Sequence, residues 1–138
     1  MENEAHEIFC ALRSPAMSMP NLWEFPGGKV EAGENPFQAI RREMREEFAC
    51  TVEPEPEIFC DTIHEYDALI VRLLTIRCHL VEGALHATEH ASVRWVGREN
   101  LLSLVWAPAD LPTVAKLMGT GQGDRPALSR IEAELFLL

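Results

Sequence analysis

The feature that most constrains this chain is a set of acidic residues on a helix that starts just after a glycine bend. Glu43, Glu46 and Glu47 stand at positions i, i+3 and i+4, which a helix gathers on one face within an arc of roughly 100°. The start of that helix is well specified. Asn35 is a good N-cap, Pro36 suits the first helical position, and Gln38 follows the cap by three residues. The body is predicted over residues 36–49, with Phe37, Ile40, Met44 and Phe48 at helical spacing as its apolar stripe. Three carboxylates crowded beside that stripe repel one another. Either water bathes the face, with Arg41, Arg42 and Arg45 nearby for pairing, or a hard cation takes several of the oxygens at once. Upstream, Pro26-Gly27-Gly28 marks a sharp bend that can aim a carbonyl at the same place. Glu34 and Arg42 bracket the intervening loop, as a structural ion pair would.

A chain of 138 residues is about one domain. Its 47% apolar and 25% charged content is that of a globular protein, not of a disordered chain, a collagen or a coiled coil. No apolar run approaches the ~20 residues of a membrane span. The opening residues, Met1 to His6, are polar and acidic, unlike a secretory signal, so a cytoplasmic protein is expected. The net charge of −10 argues against a nucleic-acid polymer as partner. A small phosphorylated ligand is compatible with it, given divalent cations between phosphate and carboxylates. Cys10, Cys50, Cys60 and Cys78 form no Cys-x-x-Cys pair, and read as small core residues in a reducing compartment.

Residues 8–12 read as a short strand, 14–21 as a loop, and 22–25 as a strand that ends at the glycine bend. Glu53-Pro54-Glu55-Pro56 reads as a stiff connector before two long strands, 57–66 and 69–81, joined by a turn at 66–68. The second of these is apolar on both faces and is placed centrally. A strand over 92–96, a short helix over 98–104 and a longer one over 109–118, opened by Pro108, follow. Residues 1–120 make up the domain, and 121–138 a link and tail. The tail is either a helix on Leu128, Ile131 and Leu135 or an extended arm.

Gly28, Glu34 and the run Arg42-Glu43-Met44-Arg45-Glu46-Glu47, at this spacing, resemble the Nudix box of nucleoside-diphosphate-linked-moiety hydrolases. The departure is Ala49-Cys50, where the box ends in glycine and an apolar residue. Residues 21–29, Trp95-Val96 and 107–112 are similar to the MutT-like and CTP pyrophosphohydrolase-like subgroup, so the likeness covers about residues 8 to 118. The resemblance implies an α+β fold, an αβα sandwich around a mixed sheet. It also implies Mg2+- or Mn2+-dependent hydrolysis of a nucleoside triphosphate to the monophosphate and pyrophosphate. By position it assigns metal binding to the Gly27 carbonyl, Glu43, Glu46 and Glu47, with Glu47 first. Arg13, Glu24, Phe25, Pro26 and Arg72 fall on the substrate side; the plain readings are a surface charge for Arg13 and core for Phe25. Asp110 either reads the base or caps its helix. As a carboxylate it favours cytosine N4; protonated, it also suits guanine. The expected substrates are (d)CTP or a modified pyrimidine, and 8-oxo-dGTP. The general base falls to Glu89 or to a box glutamate, since Arg94 occupies the place some relatives give to an acid.

His86-Ala87-Thr88-Glu89-His90 spells H-x-x-E-H, an inverted zinc-protease signature. That motif needs a helix, whereas this segment lies between strands and reads as loop. The resemblance also implies an apolar strand before residue 8, and only seven polar residues stand there. The apolar tail, residues 135–138, is a candidate to fill the gap, from the same chain or from a second copy in a homodimer. Other Nudix substrates, such as ADP-ribose or a dinucleoside polyphosphate, and a catalytically idle nucleotide-binding fold are the alternatives.

Overall fold

The computed structural model describes residues 1–83 and 85–119, and the backbone of 133–137. The elements are β1 (Glu7–Leu12), β2 (Trp23–Glu24), β3 (Gly27–Lys29), α1 (Pro36–Phe48), β4 (Cys50–Tyr66), β5 (Leu69–Gly83), β6 (Ser92–Gly97), α2 (Leu111–Leu117) and β7 (Ala133–Leu137). Short 3-10 turns occupy Arg98–Ser103 and Pro108–Asp110. Among the described residues, no helix is long and apolar enough to cross a membrane.

Helix α1 starts where its cap predicts. The Gln38 amide donates to Asn35 Oδ1 at 2.9 Å, and the Asn35 amide to Gln38 Oε1 at 2.8 Å, which satisfies two of the free amides of the first turn. Ile40, Met44 and Phe48 are fully buried. Phe37 is half-buried at the rim of the same cluster.

The strands form two sheets, β2-β1-β6 and β3-β7-β5-β4. All pairs are antiparallel except β5 with β7, so the second sheet is mixed. Strand alternation divides the core in two. Phe9 and Ala11 of β1 and Leu74, Ile76 and Cys78 of β5 face α1. Ile8 and Cys10 of β1 and Leu73 of β5 face the other way, with Trp23, Phe25, Leu101, Trp106 and the α2 residues Val114 and Leu117. Helix, sheet and helix are therefore stacked in three layers, as the αβα expectation requires. All four cysteines are buried and unpaired.

The structure corrects three expectations, two helices and a connector. Glu53-Pro54-Glu55-Pro56 is part of β4, not a connector, and Pro54 lies opposite Cys78 of β5. A proline is tolerated there because β4 is the edge strand of its sheet, and the register shifts between Pro54 and Ile58 absorb the missing donors. The helix expected over 98–104 is a 3-10 turn, and the one over 109–118 is shared between a 3-10 turn and α2. Of the two readings of the tail, the extended one holds over residues 133–137; 120–132, including the link, and 138 lie outside the described residues. Strand β7 lies between β3 and β5 in this chain. It fills, from the same chain, the gap that the tail was a candidate to fill.

Candidate active site

Arg42 organises the acidic face of α1. Its Nε and Nη2 donate to Glu34 at 3.1 and 2.7 Å, the bidentate form of the pair the sequence predicts. Its Nη1 lies 2.8 Å from Glu43 Oε1 and 3.3 Å from Glu46 Oε2, and Nη2 also reaches the Lys29 carbonyl at 2.9 Å. The bond from Arg42, and then that from the Glu31 amide, hold Glu34 below the ordinary carboxylate range. The loop after β3 is thereby fixed to the helix. The Glu43 carboxyl occupies the space that a β-carbon on Gly28 would take, and burial raises its pKa against the pull of Arg42.

Glu47 is the buried acid of the three, 8% exposed. Its neighbour was not anticipated: His90 places Nδ1 2.6 Å from Glu47 Oε1 and Nε2 2.7 Å from Glu24 Oε2. Burial opposes the charged imidazole, but the bonds to Glu24 and Glu47 outweigh it and raise its pKa to about 9. The loop that carries His90 is tied to the end of α1. Ala49 caps the helix in the left-handed region, with φ 53°. The carbonyls left free there accept from the His86 amide (Phe48 O, 3.2 Å) and from the Thr88 amide and hydroxyl (Glu47 O, 3.3 and 3.2 Å). The H-x-x-E-H segment thus delivers Glu89 and His90 to the site from a loop; His86 and His90 do not share a helix face.

Two cavities meet here. One, of about 260 Å3, is lined by Gly27, Gly28, Glu43, Glu47, Glu89 and His90, among others. The second, of about 350 Å3, is mostly apolar, with Tyr66, Val71, Leu73, Ala107, Ala109 and Asp110 in its wall. Arg13 and Glu24 line both. Arg13 Nη1 holds Glu24 Oε1 at 2.7 Å and its Nε holds the Ser18 carbonyl at 2.7 Å, so it is a fixed part of the junction, not a loose surface charge. Asp110 is 3% exposed. It makes no cap bond to its helix; instead its Oδ1 accepts from the Phe25 amide at 3.1 Å. Burial raises its pKa well above the ordinary value.

The expected site residues are therefore only partly brought together. Gly27, Glu43, Glu47, Glu89, Arg13, Glu24 and Asp110 line one or both cavities. Glu46 stands exposed beside Arg42. Phe25 and Pro26 are buried behind the wall, with Phe25 against Trp106 at 4.7 Å between ring centres. Arg72 falls between Val71 and Leu73 on β5, so it points to the opposite face from theirs. There it meets Asp61 at 3.1 and 3.0 Å. The sequence showed His90 only as part of a protease-like motif, and its partners lie far away along the chain.

The donors on the acidic side are hard oxygens, as Mg2+ or Mn2+ requires. Among the described residues, no three acidic, histidine or cysteine side chains already converge as a ligand set. The carboxylates instead face Arg42 and His90. The fit rests on two details: Gly28 leaves the space that the Glu43 carboxyl uses, and the enclosed Glu47 Oε1 has no hydrogen-bond partner.

The model of the NUDIX domain matches residues 1–117. The CTP pyrophosphohydrolase of Escherichia coli K12 is 34% identical over 121 residues, 88% of each chain. The 8-oxo-dGTP diphosphatase of the same organism is 33% identical over 117 residues, 85% of this chain and 90% of the other. Among solved structures, the solution structure of the DNA mismatch repair protein MutT (Nudix hydrolase family) from methicillin-resistant Staphylococcus aureus 252 is similar. It shows a TM-score of 0.66 and 47% identity over 83% of this chain and 88% of that one.

Proposed function

Because this chain belongs to the Nudix family and is a hydrolase of phosphoanhydride bonds, we propose that it converts a nucleoside triphosphate to the monophosphate and pyrophosphate. The observation that carries this reading is the pair of cavities joined at Arg13 and Glu24, one apolar and closed by Asp110, the other acidic. A nucleoside fits the first and a polyphosphate, with its cations, the second.

Each residue then has a task. Glu43, Glu47 and the Gly27 carbonyl hold Mg2+ or Mn2+, with Glu46 as an outer carboxylate. Bound there, the cation neutralises phosphate charge and makes a water molecule more acidic. Glu89 takes the proton from the attacking water. Arg13, anchored by Glu24, sits where the nucleoside meets its phosphates. Burial favours the neutral form of the Asp110 carboxyl, and in that form it offers a donor beside an acceptor. Cytosine presents the complementary pair at N4–H and N3, and guanine at N1–H and O6. (d)CTP, a modified pyrimidine nucleotide and 8-oxo-dGTP all meet that requirement. The names of the two E. coli relatives support both bases.

The test is pyrophosphate release across a nucleotide panel with Mg2+, repeated with Glu47→Gln. Turnover of a cytosine or oxidised guanine nucleotide that Glu47→Gln abolishes is the expected result. No turnover by folded protein returns the chain to the idle-fold reading, and full activity in Glu47→Gln removes Glu47 from the site.

A further inference from the structure

We propose that His90 is the positioning residue of this site, holding the Glu47 carboxylate on the phosphate side and Glu24 on the nucleoside side at one fixed separation. The inference rests on the assignment of Glu47 to the metal.

The imidazole side chain is 2% exposed and lies nearly parallel to the Phe48 ring, 5.7 Å between centres and 24° between planes. It cannot turn without losing that contact. Its Nε2 is hydrogen-bonded to Glu24 Oε2 at 2.7 Å, and its Nδ1 meets Glu47 Oε1 in a 2.6 Å ion-pair contact. Glu24 is held in turn by Arg13 at 2.7 Å on its other oxygen. Arg13, Glu24, His90 and Glu47 thus form one continuous line of charge-assisted contacts from the apolar cavity to the acidic one. Glu47 Oε1 and His90 Nδ1 are both buried and have no hydrogen-bond partner, so the 2.6 Å ion-pair contact between them is what holds the Glu47 carboxylate on this side. The Glu47 side chain still lines the acidic cavity. A glutamate has three rotatable side-chain bonds, and one clamped oxygen removes most of that freedom. Partners that orient a ligating carboxylate typically change metal affinity or activity by ~10–100-fold when removed.

Two substitutions separate the halves of this role. In His90→Asn the amide nitrogen stands near the place of Nδ1, which keeps the donor to Glu47 and drops the one to Glu24. In His90→Gln it reaches toward the place of Nε2, which does the reverse. Mn2+ binding is measured by calorimetry without nucleotide, followed by kcat and KM with Mg2+. His90→Gln is expected to weaken Mn2+ about 10-fold or more and to lower kcat. His90→Asn is expected to keep Mn2+ affinity within about threefold and to raise KM for the nucleotide. Equal losses in both variants, or no change in either, overturn the proposal. Should the variants not fold, the imidazole nitrogen-15 signals of the unaltered protein decide. The proposal expects Mg2+ to move the His90 Nδ1 signal, and an unmoved signal at saturating Mg2+ contradicts it. Glu47→Gln is the control for the underlying assignment: Mn2+ binding that survives this change refutes the role of Glu47, whatever His90 does.

Discussion

Gly28 lies so close to the Glu43 carboxyl that a β-carbon on it would stand 2.3 Å from Glu43 Cδ and 2.4 Å from Oε1. The obstacle is the end of a flexible side chain, so the backbone need not move; the carboxyl must. Gly28→Ala is therefore expected to melt within a few degrees of the unaltered protein while kcat/KM falls by ~100-fold, the cost of a displacement of about 1 Å at a reacting site. A thermal melt and steady-state kinetics on the same sample check this. An unchanged kcat/KM would take Glu43 out of the metal set.

What could be read in advance follows from how local the signal is. The Asn35–Gln38 capping box and the Glu34–Arg42 pair are separations of three and eight residues, set by one helix and one loop. Both are written in the spacing. The contact of His90 with Glu24 spans 66 positions and joins a loop to β2. No period in the sequence encodes it, and the motif that drew attention to His90 pointed to different chemistry. The prolines at 54 and 56 punctuate a strand only when both of its edges are paired, and an edge strand accepts them. The apolar run at 135–138 has too short a pattern to choose between helix and strand; β3 and β5 make that choice from outside.

Ala49 occupies the left-handed region at the end of α1, with φ 53°, at the place where the Nudix box has glycine. An alanine there pays the steric cost of its β-carbon against its own backbone. Ala49→Gly is expected to stabilise the fold by about 0.5–1 kcal/mol and raise Tm by about 3 °C. Denaturant titration measures it. Loss of stability would mean that the left-handed cap is not held in solution.

Strand β7 is the only strand described between β3 and β5, pairing Gly27–Lys29 on one side and Val71–Thr75 on the other. Removing residues 128–138 leaves both neighbours with unpaired backbone groups, and each lost hydrogen bond is worth about 0.5–1.5 kcal/mol. The shortened chain is expected to melt lower, to self-associate through the exposed edge, and to exchange the amides of Gly27–Lys29 faster with deuterium. The same segment carries the Gly27 carbonyl, so activity should fall with the protection. A shortened chain that melts and exchanges as the full one does would show that β7 is not held between β3 and β5.

Asp110 links stability to pH with a definite sign. Its burial raises the folded-state pKa well above the ordinary value, while the Phe25 amide and Arg13 pull only partly the other way. In the unfolded chain it ionises near its ordinary pKa of about 3.9. Between these two values the native state binds the extra proton, so stability falls as pH rises through that window. Asp110→Asn keeps a donor and an acceptor in the same place and has no proton to lose. Urea titrations of the two proteins from pH 4 upward should therefore diverge, the variant gaining on the parent as pH increases. Parallel curves would show that Asp110 is ionised in the folded state. The same pair of proteins tests the base pocket. If the neutral carboxyl reads the base, KM for the preferred nucleotide rises with pH in the parent and stays flat in Asp110→Asn, because only the parent can lose the donor that the base requires.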